Sequence, residues 1–145
     1  MEKFPHRYQA SAAGRPDGDP ATISSPGLPD LEGHSPPEFD GPAGYWSPET
    51  MLVGAVVSCL VATWRSVAGV NKFEWTDLDV SAEGVLDRID RVTRFTKVDM
   101  TAKLTLPAGA DRDRAEKLMH KAEAACLVSN SLNAEITLEV ELVEG

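Results

Sequence analysis

Ser47-Pro48-Glu49-Thr50-Met51-Leu52-Val53-Gly54-Ala55-Val56-Val57-Ser58-Cys59-Leu60-Val61-Ala62-Thr63-Trp64 is the stretch around which the rest of the chain has to be arranged. Serine at an N-cap, proline at the first helical position and an acid in the first turn mark a helix start. The helix is expected over residues 47–69, running to about Ala68 with Gly69 as its stop. Its residues are apolar on nearly every side, so it must be covered all round, by a sheet on one face and a partner on the other. In a chain of 145 residues that partner is expected to be a second subunit. Gly54, Ala55, Ser58 and Ala62 are small enough to let another helix come close.

Downstream of this helix the pattern changes to alternation. Leu78, Val80, Ala82, Gly84 and Leu86 hold the even positions of one strand, and Val98, Met100, Ala102, Leu104 and Leu106 those of the next. With Asp87–Arg91 between them, residues 75–106 read as an antiparallel hairpin with one wet face. Pro107-Ala108-Gly109-Ala110 then breaks the chain. Asp111 caps a second helix over 111–126, with Ala115, Leu118, Met119, Ala122 and Ala125 at helical spacing. A final strand over 134–143 turns Ile136, Leu138, Val140 and Leu142 inward.

Upstream, nine of the ten prolines fall within residues 1–48, which leaves room only for short strands. Arg7–Ala12 and Ala21–Ser24 are the candidates, separated by the turn cluster Gly14-Arg15-Pro16-Asp17-Gly18-Asp19-Pro20. Leu28 to Tyr45 holds too many breakers for regular structure and is expected to be a long loop. The order of strands, helix, strand pair, helix and strand is that of an α+β fold, with residues 1–145 forming a single domain. No β-α-β phosphate loop and no G-x-G-x-x-G are present.

Charge narrows the function. Fourteen Lys and Arg against twenty-three Asp and Glu give −9. That balance argues against nucleic acid, whose phosphates need clustered bases, and against an anionic membrane surface. The apolar run Met51 to Thr63 is well short of the ~20 residues that span a bilayer. The first residues, Met1-Glu2-Lys3-Phe4-Pro5-His6-Arg7, carry no apolar leader, so a cytoplasmic location is expected. His6, His34 and His120 are scattered without paired spacing, and no metal site is expected.

Two cysteines remain, Cys59 and Cys126, in neither a C-x-x-C nor a zinc-type spacing. Ordinarily such residues are small core side chains. Cys59 lies ten residues beyond Glu49, on the order of 15 Å along the helix, too far for the dipole to favour a thiolate. If it is reactive, a cation must approach it from elsewhere in the chain. Cys126, at the end of the second helix, is a poor first nucleophile but an acceptable thiol for attacking an oxidised partner.

These residues carry a resemblance. Ser47-Pro48-Glu49, followed by apolar residues to Ser58-Cys59-Leu60, resembles the Asn-Pro-Glu…Ala-Cys helix of the OsmC/Ohr family of organic hydroperoxide reductases. Lys121-Ala122-Glu123-Ala124-Ala125-Cys126-Leu127-Val128-Ser129-Asn130 is similar to that family's second-cysteine segment. The resemblance covers residues 47–143 well and the first 46 loosely. It implies an OsmC-like fold, with antiparallel sheets packed around a long central helix in an intertwined homodimer.

The resemblance also implies a chemistry. Cys59 would be the peroxidatic cysteine, attacking the O–O bond of an organic hydroperoxide, and possible substrates extend to hydrogen peroxide. Cys126 would resolve the sulfenic acid as a disulfide, which an external dithiol reduces without a bound cofactor. Arg15, in a turn that resembles the family's Gly-Arg-Asp-Gly, would stabilise the thiolate and polarise the peroxide, with Glu49 orienting it. Arg7 is the alternative arginine. The loop source used in the OsmC branch is replaced here by Glu38-Phe39-Asp40. Tyr45 and Trp46 stand where the family usually has Gly-Thr, implying an apolar substrate pocket, and Leu127 replaces the proline common after the second cysteine. Two alternatives stay open: a catalytically silent dimer binding a small hydrophobic or thiol-reactive ligand, and a sulfur-handling enzyme.

Overall fold

The computed structural model describes all 145 residues, in two compact units, Met1–Met51 and Leu52–Gly145. The first unit holds a three-stranded antiparallel sheet in the order β1 (Ser11–Ala13), β2 (Ala21–Ser24), β3 (Leu31–Gly33), followed by a 3₁₀ turn at Pro37–Phe39. β2 falls where the sequence places it, and β1 begins four residues later than expected. β3 and the 3₁₀ turn lie inside the stretch expected to be irregular. Three residues are too few to show alternation, and this strand is fixed by its pairing: Gly33 bridges Trp46, and His34 N donates to Trp46 O at 2.9 Å.

Helix α1 (Pro48–Val70) begins in the first unit and continues through the second. Its start is a reciprocal cap. Thr50 N donates to Ser47 Oγ at 3.1 Å, while Ser47 N donates to Thr50 Oγ1 at 2.8 Å, so two otherwise orphaned donors are satisfied. Its end is not Gly69, which lies in the last turn. The chain turns at Lys72, in the left-handed region at φ 50°, where Lys72 N donates to Gly69 O and Phe73 N to Ala68 O. These two bonds form a Schellman motif with lysine in the position usually held by glycine. Arg114 closes this end further, donating to Asn71 O at 2.8 Å and lying 5.6 Å over the Phe73 ring.

The second unit adds β4 (Asp77–Ile89), β5 (Val92–Leu106), α2 (Arg112–Ala124), the single-turn α3 (Leu127–Asn130) and β6 (Glu135–Glu144). β4 and β5 form the expected hairpin, closed by a two-residue turn with Asp90 and Arg91 both at positive φ. β6 pairs with β5 in parallel, so this sheet is mixed rather than antiparallel throughout. The connection through α2 and α3 is long enough to return the chain to the same end of the sheet, as parallel pairing requires.

β5 is the central strand, and its alternate residues Val98, Met100, Ala102, Leu104 and Leu106 are buried. They share one core with Ala115, Met119 and Ala122 of α2 and with Val56, Leu60, Trp64 and Ala68 of α1. Those four α1 residues recur every fourth position, a single ridge along the helix. On its other sides Leu52, Val53, Val57 and Val61 are half-buried, and Ala55, Ser58 and Ala62 are exposed. By length and composition alone α1 would suffice to cross a bilayer. Its buried ridge makes it instead a core helix of the folded unit.

Candidate active site

Cys59 is half-buried on α1, and Thr63 follows one turn later on the same face. Cys126 reaches this pair from the other side of the core. It does not sit in the second helix, as its spacing suggested. α2 stops at Ala124, and Cys126 is the residue that opens α3, with φ −64° and ψ 108°. Asn130 N donates back to Cys126 O at 2.9 Å, which holds the chain in this bend. The bend leaves Leu127 70% exposed and Cys126 fully buried.

The two thiols meet at one hydroxyl. Cys126 Sγ donates to Thr63 Oγ1 at 3.7 Å, and Cys59 Sγ lies 3.9 Å from the same oxygen. Both cysteines are free. Burial pushes the Cys126 thiol up to about 11, the Thr63 hydroxyl pulls it partly back, and charge on Cys59 raises it further. Cys126 is therefore a protonated thiol at neutral pH. Burial and its neighbours Cys59 and Glu123 make it a weak first nucleophile.

The remaining expected residues lie in the first unit. Arg15 follows β1 and lines a cleft of about 590 Å³ together with Gly14, Asp19, Glu32 and Tyr45. Tyr45 thus lines the same cleft as Arg15, and its ring lies 6.0 Å from that of His34. Trp46 is 55% exposed and holds β3 through its backbone. Arg7 is exposed. Glu49 stands in the first turn of α1, where its Oε2 is buried without a hydrogen-bond partner, and no arginine is paired with it. The structure therefore gathers Cys59 with Cys126, and Arg15 with Tyr45, and leaves Glu49 unpaired. Thr63 was missed from sequence, although its four-residue spacing from Cys59 places it on the thiol's face.

The family model described as OsmC-like protein matches residues 41–141, a span that includes both cysteines and Thr63. The chain belongs to the OsmC-like family. Among relatives of this OsmC-like chain, the peroxiredoxin OsmC of Escherichia coli is 32% identical over 104 residues, covering 72% of this chain and 71% of its own. An uncharacterized Bacillus subtilis protein, YmaD, is 29% identical over 109 residues, covering 73% of each. In fold, the chain is similar to an organic hydroperoxide resistance protein OsmC from Legionella pneumophila, with a TM-score of 0.77 at 24% identity over 97% of this chain and 99% of that one. The α+β fold with two small sheets and a long helix is thus that of the OsmC-like family.

Proposed function

We propose that this OsmC-like chain is a thiol-dependent peroxidase that reduces organic hydroperoxides, with residues 1–145 acting as one functional domain. The observation that carries the reading is the meeting of a half-buried and a fully buried free thiol at the Thr63 hydroxyl. The family's peroxide-handling members support it, the E. coli peroxiredoxin OsmC among them.

In this cycle the Cys59 thiolate attacks the outer peroxide oxygen. The O–O bond breaks, Cys59 becomes a sulfenic acid, and the departing alkoxide takes a proton to leave as an alcohol. Cys126 then displaces the sulfenic hydroxyl as water and forms the Cys59–Cys126 disulfide. An external dithiol reduces that bond and restores both thiols. Arg15 is assigned to the thiolate and the peroxide, and Glu49, whose Oε2 has a place for a donor, to orienting it. Tyr45 and Trp46 are assigned to the apolar entrance. The α1 face left open by Ala55, Ser58 and Ala62 is assigned to a second copy in a homodimer, working in the cytoplasm.

Intact mass and free-thiol count, before and after one equivalent of an organic hydroperoxide, test the reading. The expected result is loss of two thiols in the wild type and a trapped sulfenic acid on Cys59 in Cys126→Ser. Two untouched thiols in the native protein would reject it. The unpaired Glu49 favours a second reading, a member that binds a hydrophobic or thiol-reactive ligand without turnover. Untouched thiols are its expected outcome.

A further inference from the structure

We infer that Thr63 is a catalytic proton relay between the two cysteines, carrying the proton of Cys126 to the oxygen that leaves Cys59 when the disulfide closes. The inference rests on the peroxidase reading and adds a residue to it.

Both hydrogen-bond partners of the Thr63 side chain are thiols. A hydroxyl has one proton to give and two lone pairs to accept with. Here Oγ1 accepts the Cys126 S–H, which leaves its own proton free for the Cys59 side. Threonine in a helix commonly turns back to a carbonyl of the preceding turn. This one instead has the two thiols as its side-chain partners.

The relay answers a problem set by the surroundings of Cys126. The titratable groups that act on it are Cys59 from α1 and Glu123 from α2. The β5 residues in the same core, such as Val98 and Met100, are apolar. Burial holds the Cys126 thiol protonated at pH 7, so its free thiolate is scarce. Attack by the free thiolate would be limited by that scarcity, whereas a relay lets the protonated thiol react.

In the step, Cys126 Sγ forms a bond to the sulfenic sulfur of Cys59. Its proton passes to Thr63 Oγ1 as the Thr63 hydroxyl proton passes to the sulfenic oxygen. The S–O bond breaks and water leaves. The Cys126 sulfur is oxidised, the Cys59 sulfur is reduced, and Thr63 ends as it began.

Single-turnover kinetics of Thr63→Val and Thr63→Ser, following sulfenic acid formation and disulfide closure separately, test this. Closure at pH 7 is expected to slow on the order of 100-fold in Thr63→Val, the range for a positioned proton-transfer group. The defect should shrink as pH rises toward 11, and Thr63→Ser should restore the rate. Closure at the wild-type rate in Thr63→Val overturns the relay. So does a defect that is equal at every pH and not rescued by serine, since that is the signature of packing alone. Absence of any sulfenic acid in the wild type and Cys126→Ser would reject the peroxidase reading and the relay with it. Thiolate absorbance of Cys126 in a Cys59→Ser background then reads the geometry separately. It should titrate higher when Thr63→Val is added, and an unchanged titration would reject the shared hydroxyl as well.

Discussion

Gly84 lies directly against Val53: a Cβ on Gly84 would stand 2.7 Å from Val53 Cγ2 and 2.9 Å from Phe95 Cε1. The missing side chain sets how closely α1 approaches the β4–β5 hairpin. Gly84→Ala is expected to destabilise the protein by about 1–3 kcal/mol, because at these distances Val53 or Phe95 must shift to admit the methyl group. Urea unfolding should show a lower midpoint at an unchanged slope.

Lys72 sits at φ 50° in the Schellman motif that ends α1. Left-handed backbone costs a side-chain-bearing residue roughly 1–2 kcal/mol relative to glycine. Lys72→Gly is therefore expected to raise the melting temperature, with the gain offset in part by the extra freedom glycine brings to the unfolded chain.

Cys126 makes stability depend on pH. Its thiol is pushed up to about 11 by burial, while in the unfolded chain it ionises near the ordinary value of 9.0. Below 9 both states hold the proton and the contribution is complete. Between about 9 and 11 the unfolded chain loses its proton first, so stability falls as pH rises, by about 2–3 kcal/mol in all. Denaturant titrations at pH 8 and pH 11 should show that this difference is lost in Cys126→Ala.

The assignment of the cation is separable from that of the thiols. Arg15 and Arg7 are both exposed, but only Arg15 lines the cleft that Tyr45 also lines. Arg15→Ala is expected to slow sulfenic acid formation about 100-fold, in the range for loss of one stabilising donor. Arg7→Ala should leave the rate unchanged, and stopped-flow oxidation of Cys126→Ser distinguishes the two.

The residues that were legible in the sequence are those whose role is local. Ser47 and Pro48 announce a helix start because capping is decided within four residues. Val98 to Leu106 announce a strand because burial on one face imposes alternation. Lys72 gave no signal, since the left-handed cap normally advertises itself as glycine. The parallel pairing of β6 is set by the path of the chain between strands, which periodicity does not record. Ala122 and Ala125 continue the helical spacing up to Cys126, whereas the helix ends because the Cys126 backbone turns to the extended region at ψ 108°, with its N–H bonded only three residues back to Glu123 O. The pairing of Cys59 with Cys126 came from the resemblance, and the hydroxyl between them only from three-dimensional placement.

The parallel strand also has a kinetic side. β4 and β5 are neighbours in sequence, and their turn can close within microseconds. β6 must find β5 across 38 positions, from Lys97 to its partner Glu135, so its docking carries the larger loop-closure entropy. Cys126 lies inside that crossover. Until β6 docks, only the β5 end of the crossover is tied to this sheet. The segment that carries Cys126 to Thr63 is thus tied to the sheet at both ends only once the slower of the two strand pairings has formed.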